Sequence, residues 1–428
     1  MFVSSRRRRR RRWPLILVAL LVLVGAGGAT AYFELVKAPG DVTNPDVEFT
    51  VPQEPPARER EERERRDDRV AWPVYGYDLA RTRHVDRDLP RPGRRLWHRG
   101  GSKLIEFPPV YARGRLFFVK NNGEAYALSA RSGRVLWRKR VGTLAASSPA
   151  FADGNLFITT LSGRALSLDA ETGRTRWVKD LPSRSESSPL VIRGRVYFGS
   201  EDGTVYAVQA SNGKTVWTYR AAGSVKGALA YSDGKLFFGD YAGQVTALRR
   251  RDGSRVWSTG TQGRWFGRSG NFYSTPAVAF GRVYLGNTDG RVYSFSARTG
   301  ELAWSKSTGG YVYGAPAVAD TPDTDPTVYI GSYDGNFYAL DARTGATRWT
   351  YDAGGRISGA PTVVGEIVYF SNLGRKSTTG LRARDGRPVW KFGRGAFSPM
   401  VTDGRRFYVT GYSSLYAFEP RGARRSRR

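Results

Sequence analysis

A tryptophan returns along this chain at intervals too regular for chance. Trp97, Trp137, Trp177, Trp217, Trp257, Trp304, Trp349 and Trp390 are separated by 40, 40, 40, 40, 47, 45 and 41 residues. Seven of the eight close the same phrase: RSGRVLW, ETGRTRW, SNGKTVW, RDGSRVW, RTGELAW, RTGATRW and RDGRPVW; Trp97 closes RRLW without the preceding turn. Self-similarity at this period is the mark of a repeat architecture, and it sets the fold before any single residue is considered.

Within one period the pattern is that of strands. From Ser188 to Trp217 the chain reads SPLVI, a turn at Arg193-Gly194, RVYFGS, a tight turn at Glu201-Asp202-Gly203, TVYAVQA, a turn at Ser211-Asn212-Gly213, and KTVWTYR. Four short antiparallel strands in about 40 residues make one propeller blade. The recurring Trp then has a structural task. Wedge-shaped gaps separate blades stacked around an axis, and a large flat side chain fills them. After Trp390 come three strands (SPMVTD, RFYVTGY and SLYAFEP) with no Trp strand behind them, while RRLWHR at Trp97 is a Trp strand with nothing before it. The N-terminal strand is expected to complete the C-terminal blade and remove its exposed edge. The predicted fold is all-β: an eight-bladed β-propeller over 72–420, its last blade closed by the N-terminal strand, preceded by one transmembrane helix.

The turns of the form D/S-x-x-T/D/N-G-x-x-x-W resemble the tryptophan-docking motif of pyrroloquinoline-quinone (PQQ) repeat propellers. Trp72-Pro73-Val74-Tyr75-Gly76-Tyr77-Asp78, with Thr82, is similar to the segment that leads into such propellers. The resemblance covers about residues 72–418. It implies the fold, but it reaches several activities: quinoprotein dehydrogenases, the outer-membrane assembly lipoprotein BamB, and extracellular sensor domains of kinases. The dehydrogenases usually carry a vicinal Cys pair against the cofactor, and BamB is lipid-modified at Cys; this chain has no Cys. Only about fourteen residues precede the apolar segment, which leaves no room there for a kinase domain. What the resemblance implies is a BamB-like build attached by other means.

Attachment is expected through the N-terminus. Residues 1–14 are basic, with Arg6 to Arg12 in one block, and Leu15 to Phe33 is a 19-residue run without a charge. At about 1.5 Å per residue such a run is roughly long enough to cross a bilayer core of ~30 Å. Positive flanks stay cytoplasmic, so the expected topology is single-pass, with the propeller extracytoplasmic at the cell membrane. A cleaved signal peptide is the competing reading, because Ala29-Thr30-Ala31 has the form of a peptidase site; both place the domain in the same compartment. Residues 34–71 hold five Pro and a mixed run from Arg58 to Arg69 with six charges of each sign, and read as a spacer. A basic tail follows from 421 to 428.

Charge bounds the partners. The whole chain carries +30, and 70–420 alone holds 49 Lys/Arg against 27 Asp/Glu, or +22. A basic exported domain suits a protein or an anionic envelope polymer, whereas nucleic acid does not fit the compartment. Two His, His84 and His98, and no Cys give imidazole or thiolate chemistry little to work with. No cofactor and no metal site is expected. Asp320, Asp323 and Asp325 lie close together in an insertion, but without the Gly and distal Glu of a calcium loop they read as a solvated turn. Binding is expected at one rim. The loops feeding the innermost strands carry Glu106, Phe107, Arg184, Glu186, Lys226, Tyr273, Tyr311, Tyr313, Arg356 and Phe397. The turns between second and third strands add Tyr241, Tyr333, Arg375, Lys376 and Tyr412. The longest insertion, Thr261 to Tyr273, contributes Arg264, Trp265, Phe266 and Arg268, residue types favoured at binding hot spots. The leading function is a non-enzymatic binding or scaffold protein. The alternative is a PQQ- and calcium-dependent oxidoreductase.

Overall fold

The computed structural model describes residues 40–51, 71–261 and 270–422. These residues form eight β-sheets, and no helix among them is long and apolar enough to cross a membrane. The expected span, 15–33, lies outside the described residues. Seven sheets are consecutive four-strand repeats, here blades 1 to 7: 110–140, 150–180, 190–220, 230–260, 277–307, 317–352 and 362–392. Blade 3 is typical, running Leu190–Ile192, Arg195–Gly199, Thr204–Gln209 and Thr215–Arg220 from the axis outward. Blade 8 takes Met400–Thr402, Phe407–Thr410 and Leu415–Pro420 from the C-terminal end and Pro92–Arg99 as its outer strand. The expected closure is therefore present, and Arg94 secures it with a paired contact to the Glu419 carboxylate.

Every Trp strand reaches past its own blade. The indole N–H of Trp177 donates to the Ala210 carbonyl in the next blade at 2.8 Å, and Trp97, Trp137, Trp217, Trp257, Trp304 and Trp349 make the equivalent bond one blade further round. The ring lies over the turn glycine of that neighbour. Gly213 has φ +73° and an added Cβ would stand 2.7 Å from the Trp177 ring, so both its conformation and the space above it demand glycine. A register shift recurs one residue inside this turn, at Ala127/Leu128, Ser167/Leu168, Ala207/Val208 and their counterparts. Such bulges increase local twist, and these sit where the Trp strand turns toward its neighbour. Trp390 has no such acceptor among the described residues, because the matching turn of blade 8 is the gap between the two ends of the propeller chain. Phe392 and Phe418 pack against it instead.

Two segments outside the repeats do more than connect. Residues 40–51, expected as part of a spacer, dock on blade 5. Val42–Thr43 pairs antiparallel with Leu302–Ser307, Val47 is buried, and Arg282 donates to the carbonyls of Val47 and Glu48. The sequence disguised this because the apolar residues that dock, Val42, Val47 and Phe49, are scattered among polar ones, and Val51 stays exposed. Thr43 lies opposite Trp304, which is why that Trp alone among the eight is fully buried.

The lead-in crosses the central channel. Its carbonyls accept from the second residue of six inner strands: Trp72 from Tyr111, Pro73 from Phe151, Leu79 from Tyr231, Ala80 from Val278, Thr82 from Val318 and Arg83 from Val363. His84–Val85 then adds to blade 7 as a parallel strand. Inside this belt Arg81 is fully buried and its guanidinium donates to carbonyls of Tyr75, Leu229 and Pro189. Burial, and after it the neighbouring charge of Arg83, pull its pKa down to about 9, so it remains a cation at neutral pH. A belt bonded to blades 1, 2, 4, 5, 6 and 7 closes the channel on that side and ties the ring internally.

Removing an interblade anchor is expected to scale with its burial. Trp304→Ala should cost about 3–5 kcal/mol, and Trp137→Ala, only partly buried and without a covering strand, distinctly less. Urea midpoints followed by far-ultraviolet circular dichroism check the order, and equal losses would mean that the outer strand at Val42–Thr43 adds nothing.

Candidate functional site

On the side opposite the belt, the loops feeding the inner strands converge. The residues just before each inner strand are small, and several bond across the blade seams. Ser148 Oγ donates to the Pro108 carbonyl, Ser188 Oγ accepts from Ser148 N–H, and Thr275 Oγ1 accepts from Ala228 N–H. Small residues let eight backbones crowd around one axis. Above this ring stands a cavity of about 50 Å³ whose walls include Glu106, Phe107, Glu186, Lys226, Tyr273 and Tyr313, with Tyr75 of the lead-in reaching into it from below. That volume suits a few water molecules. The channel is thus a shallow bowl rather than a pore.

Glu186 organises one wall. It accepts from Lys226 Nζ at 3.0 Å and from the Tyr273 hydroxyl at 2.8 Å. Lys226 also lies 3.3 Å from Glu201, whose second partner is Arg184 at 3.2 Å, and its ammonium sits over the Tyr241 ring at 5.3 Å. Burial first, then the carboxylates of Glu186 and Glu106, raise the Tyr273 pKa well above its ordinary value, so this phenol stays protonated and serves as a donor. Glu106 accepts from Asn121 Nδ2 at 2.8 Å. Its pKa is raised by burial, opposed by the Asn121 bond and reinforced by the charge of Glu186. Glu106 and Glu186 therefore lie near enough across the bowl for one charge to act on the other.

The rim is aromatic. Tyr313 lies 4.8 Å from Tyr333, 5.8 Å from Tyr311 and 6.1 Å from Tyr273 between ring centroids, and Tyr241 continues the arc 6.5 Å from Tyr273. The Arg356 guanidinium stands 5.7 Å over Tyr333. Tyr311, 44% exposed, faces outward. A smaller pair, Lys376 over Tyr412 at 5.9 Å, occupies another part of the face, while Arg375 turns away to the Gly354 carbonyl. Lys226, Tyr241, Tyr273, Tyr311, Tyr313, Tyr333 and Arg356 thus lie together on this face. Arg264, Trp265, Phe266 and Arg268 lie outside the described residues. Sequence reasoning missed Tyr75, because nothing in a lead-in motif says that it folds back through the channel; its only signal was a large aromatic beside Gly76.

Neither His is placed for chemistry at the bowl. His84 is tied into the parallel strand beside blade 7 and burial lowers its pKa, and His98 stacks on Tyr416 at 5.1 Å. The Asp-rich insertion is not the loop expected of it: Ala317–Thr321 and Thr324–Gly331 extend into a longer hairpin, with Asp323 paired to Arg384 and Asp325 to Arg348. Among the described residues no group of three or more His, Cys, Asp or Glu is positioned to hold a metal ion.

The family described as outer membrane protein assembly factor BamB matches residues 83–156, 122–321 and 314–426. The chain belongs to that family. BamB from Moraxella catarrhalis is similar in structure, with TM-score 0.63 at 19% identity over 76% of this chain and 99% of that one. A quinohemoprotein alcohol dehydrogenase from Pseudomonas putida gives TM-score 0.72 at 15% identity over 89% and 84%. A computationally designed protein, Ika8, gives 0.64 at 15% over 76% and 100%. At these identities the likeness is one of fold. No curated protein matches the chain in sequence.

Glu106 offers a direct probe of the bowl. Its carboxyl ionises above the ordinary value of 4.5 when folded. Its ionisation therefore favours the unfolded chain as pH rises from the unfolded pKa through the folded one. Glu106→Gln should leave stability unchanged below that window and raise it at neutral pH, as read from urea midpoints across pH.

Proposed function

We propose that this protein is a non-enzymatic binding platform of the cell envelope, held to the membrane by its N-terminal segment, with the propeller outside the cytoplasm. The observation that carries this reading is the bowl itself: a channel closed from beneath by the lead-in and ringed above by Tyr311, Tyr313, Tyr333 and Arg356. Rigid aromatic side chains with a guanidinium lose little conformational freedom on binding and dominate interface energetics. The bowl is too shallow to engulf a cofactor-sized molecule, and a partner that lies across the rim uses what is exposed. Membership of the BamB family supports a protein partner, and the net charge supports one with an acidic segment. An anionic envelope polymer would meet the same surface.

The oxidoreductase alternative draws support from the fold likeness to quinohemoprotein alcohol dehydrogenase. It would require a flat tricyclic quinone and a calcium site at the channel mouth. The small cavity and the lack of a three-carboxylate donor group among the described residues do not fit that group. Glu106 and Glu186 are instead committed to Asn121, Lys226 and Tyr273.

Site-specific photocrosslinking in cells from the position of Tyr311 is expected to trap one discrete partner. The double substitution Tyr333→Ala with Arg356→Ala should lower its capture roughly tenfold or more without moving the thermal midpoint. Absence of a discrete adduct would overturn the reading, as would stoichiometric uptake of PQQ with calcium accompanied by dye reduction.

A further inference from the structure

Away from the bowl, the seam between blades 8 and 1 holds a second concavity. It measures about 470 Å³ and is lined by His98, Arg99, Lys120, Tyr126, Val135 and Arg138. A narrower annex shares Arg99, Lys120 and Tyr126 with it and runs inward to Ile105, Phe118 and Leu128. The volume is that of a small-ligand site. Its position follows from the closure: Arg99 ends the strand that the N-terminal side lends to blade 8, and Lys120 ends the second strand of blade 1.

The repeat supplies its own control. In the next four blades the place of Lys120 is held by Thr160, Ser200, Asp240 and Asn287, and that of Arg138 by Val178, Thr218, Ser258 and Ser305. Packing of a blade therefore asks for neither cation. At this seam three positive groups converge, and no carboxylate among the described residues pairs with Arg99, Lys120 or Arg138 at ion-pair distance. One acid stands beside them: Glu124, engaged by Asn122 Nδ2 at 3.0 Å and the Tyr126 hydroxyl at 2.9 Å, acts by its charge on Lys120 and Arg138 without reaching ion-pair distance, so the seam keeps a net positive charge. Lys120 is half-buried, with its ammonium 4.8 Å over the Tyr126 ring, which itself stacks on Phe118 at 5.2 Å. The ammonium is thus fixed in place, and Tyr126 presents a flat wall to whatever lies beside it.

We propose that this seam is an anion site for a phosphate ester, with Arg99, Lys120 and Arg138 taking the phosphate oxygens and Tyr126 and Val135 contacting the attached polyol or sugar. Two guanidinium groups and an ammonium match phosphate in charge and donor geometry, and hydrogen bonds to a charged acceptor are the strong ones. The carbon-bearing part of the ligand meets Tyr126 and Val135, the less polar side of the same pocket. Such a ligand is either a free small molecule or the headgroup of a phospholipid, since both present the same group.

The full-length chain is titrated calorimetrically with glycerol 3-phosphate and, separately, tested for sedimentation with vesicles of phosphatidylglycerol in phosphatidylcholine. Binding in either arm that falls roughly tenfold or more with Lys120→Met or Arg99→Ala, and not with Lys214→Met on a remote exposed turn, supports the site and identifies the source. No binding in either arm at millimolar phosphate overturns it. An equal loss with Lys214→Met also overturns it, because attraction would then belong to net charge. Circular dichroism melts of each variant separate a lost contact from a lost fold.

Discussion

Seven of the eight blades are held by a hydrogen bond from a residue they do not own. A Trp on the outer strand of one sheet places its indole N–H on a carbonyl of the next and its ring over a glycine there, and this bond recurs seven times around the ring. A four-stranded blade on its own would leave one face and both edges to water. Stacking is what buries it, and the Trp sets both spacing and angle of the stack. The 40-residue period, the turn glycine and the bulge beside it are all conditions for that single contact. The inner ring of small residues, and so the bowl, exists because eight blades are held at the distance the indole dictates.

The parts of the fold that rest on this contact were legible in the sequence. Strand number per repeat, blade number and the exchange of the first strand into the last blade all follow from the positions of Trp97 to Trp390. Legibility failed where segments used the ring without repeating with it. Residues 40–51 carry Val42, Val47 and Phe49 among polar neighbours, a density that reads as a linker because their partner, blade 5, is some 260 residues away. The lead-in was recognisable as a motif, yet its path is fixed by backbone carbonyls, which have no sequence signature. Arg81 illustrates the cost. A fully buried arginine satisfied by carbonyls looks like any surface arginine in a chain with so many.

The candidate site was legible as a set and less so as a device. Rim residues on the expected loops do assemble, since loop position is inherited from the blades. What each group does there is decided by neighbours that come from other blades. Glu186 is tied to Lys226 and Tyr273, which makes it a brace. Lys226, formally one of many cations, is placed between Glu186 and Glu201 and over Tyr241. The cations without a carboxylate at ion-pair distance are found elsewhere, at the blade 8 to blade 1 seam, where the ring was closed by joining strands from either end of the propeller.

That join also sets an order of events during synthesis. Residues 72–99 leave the ribosome before any blade exists, yet the belt needs inner strands from six blades and Arg94 finds Glu419 only 325 residues later. Until the last strand is made, the first one is an unpaired edge and the last blade is missing its outer wall. Long-range closure of this kind is slow, and it leaves sticky strands open meanwhile. The molecule therefore finishes as a unit or not at all, and a chain cut short anywhere before Leu415–Pro420 leaves its first outer strand with nothing to pair against.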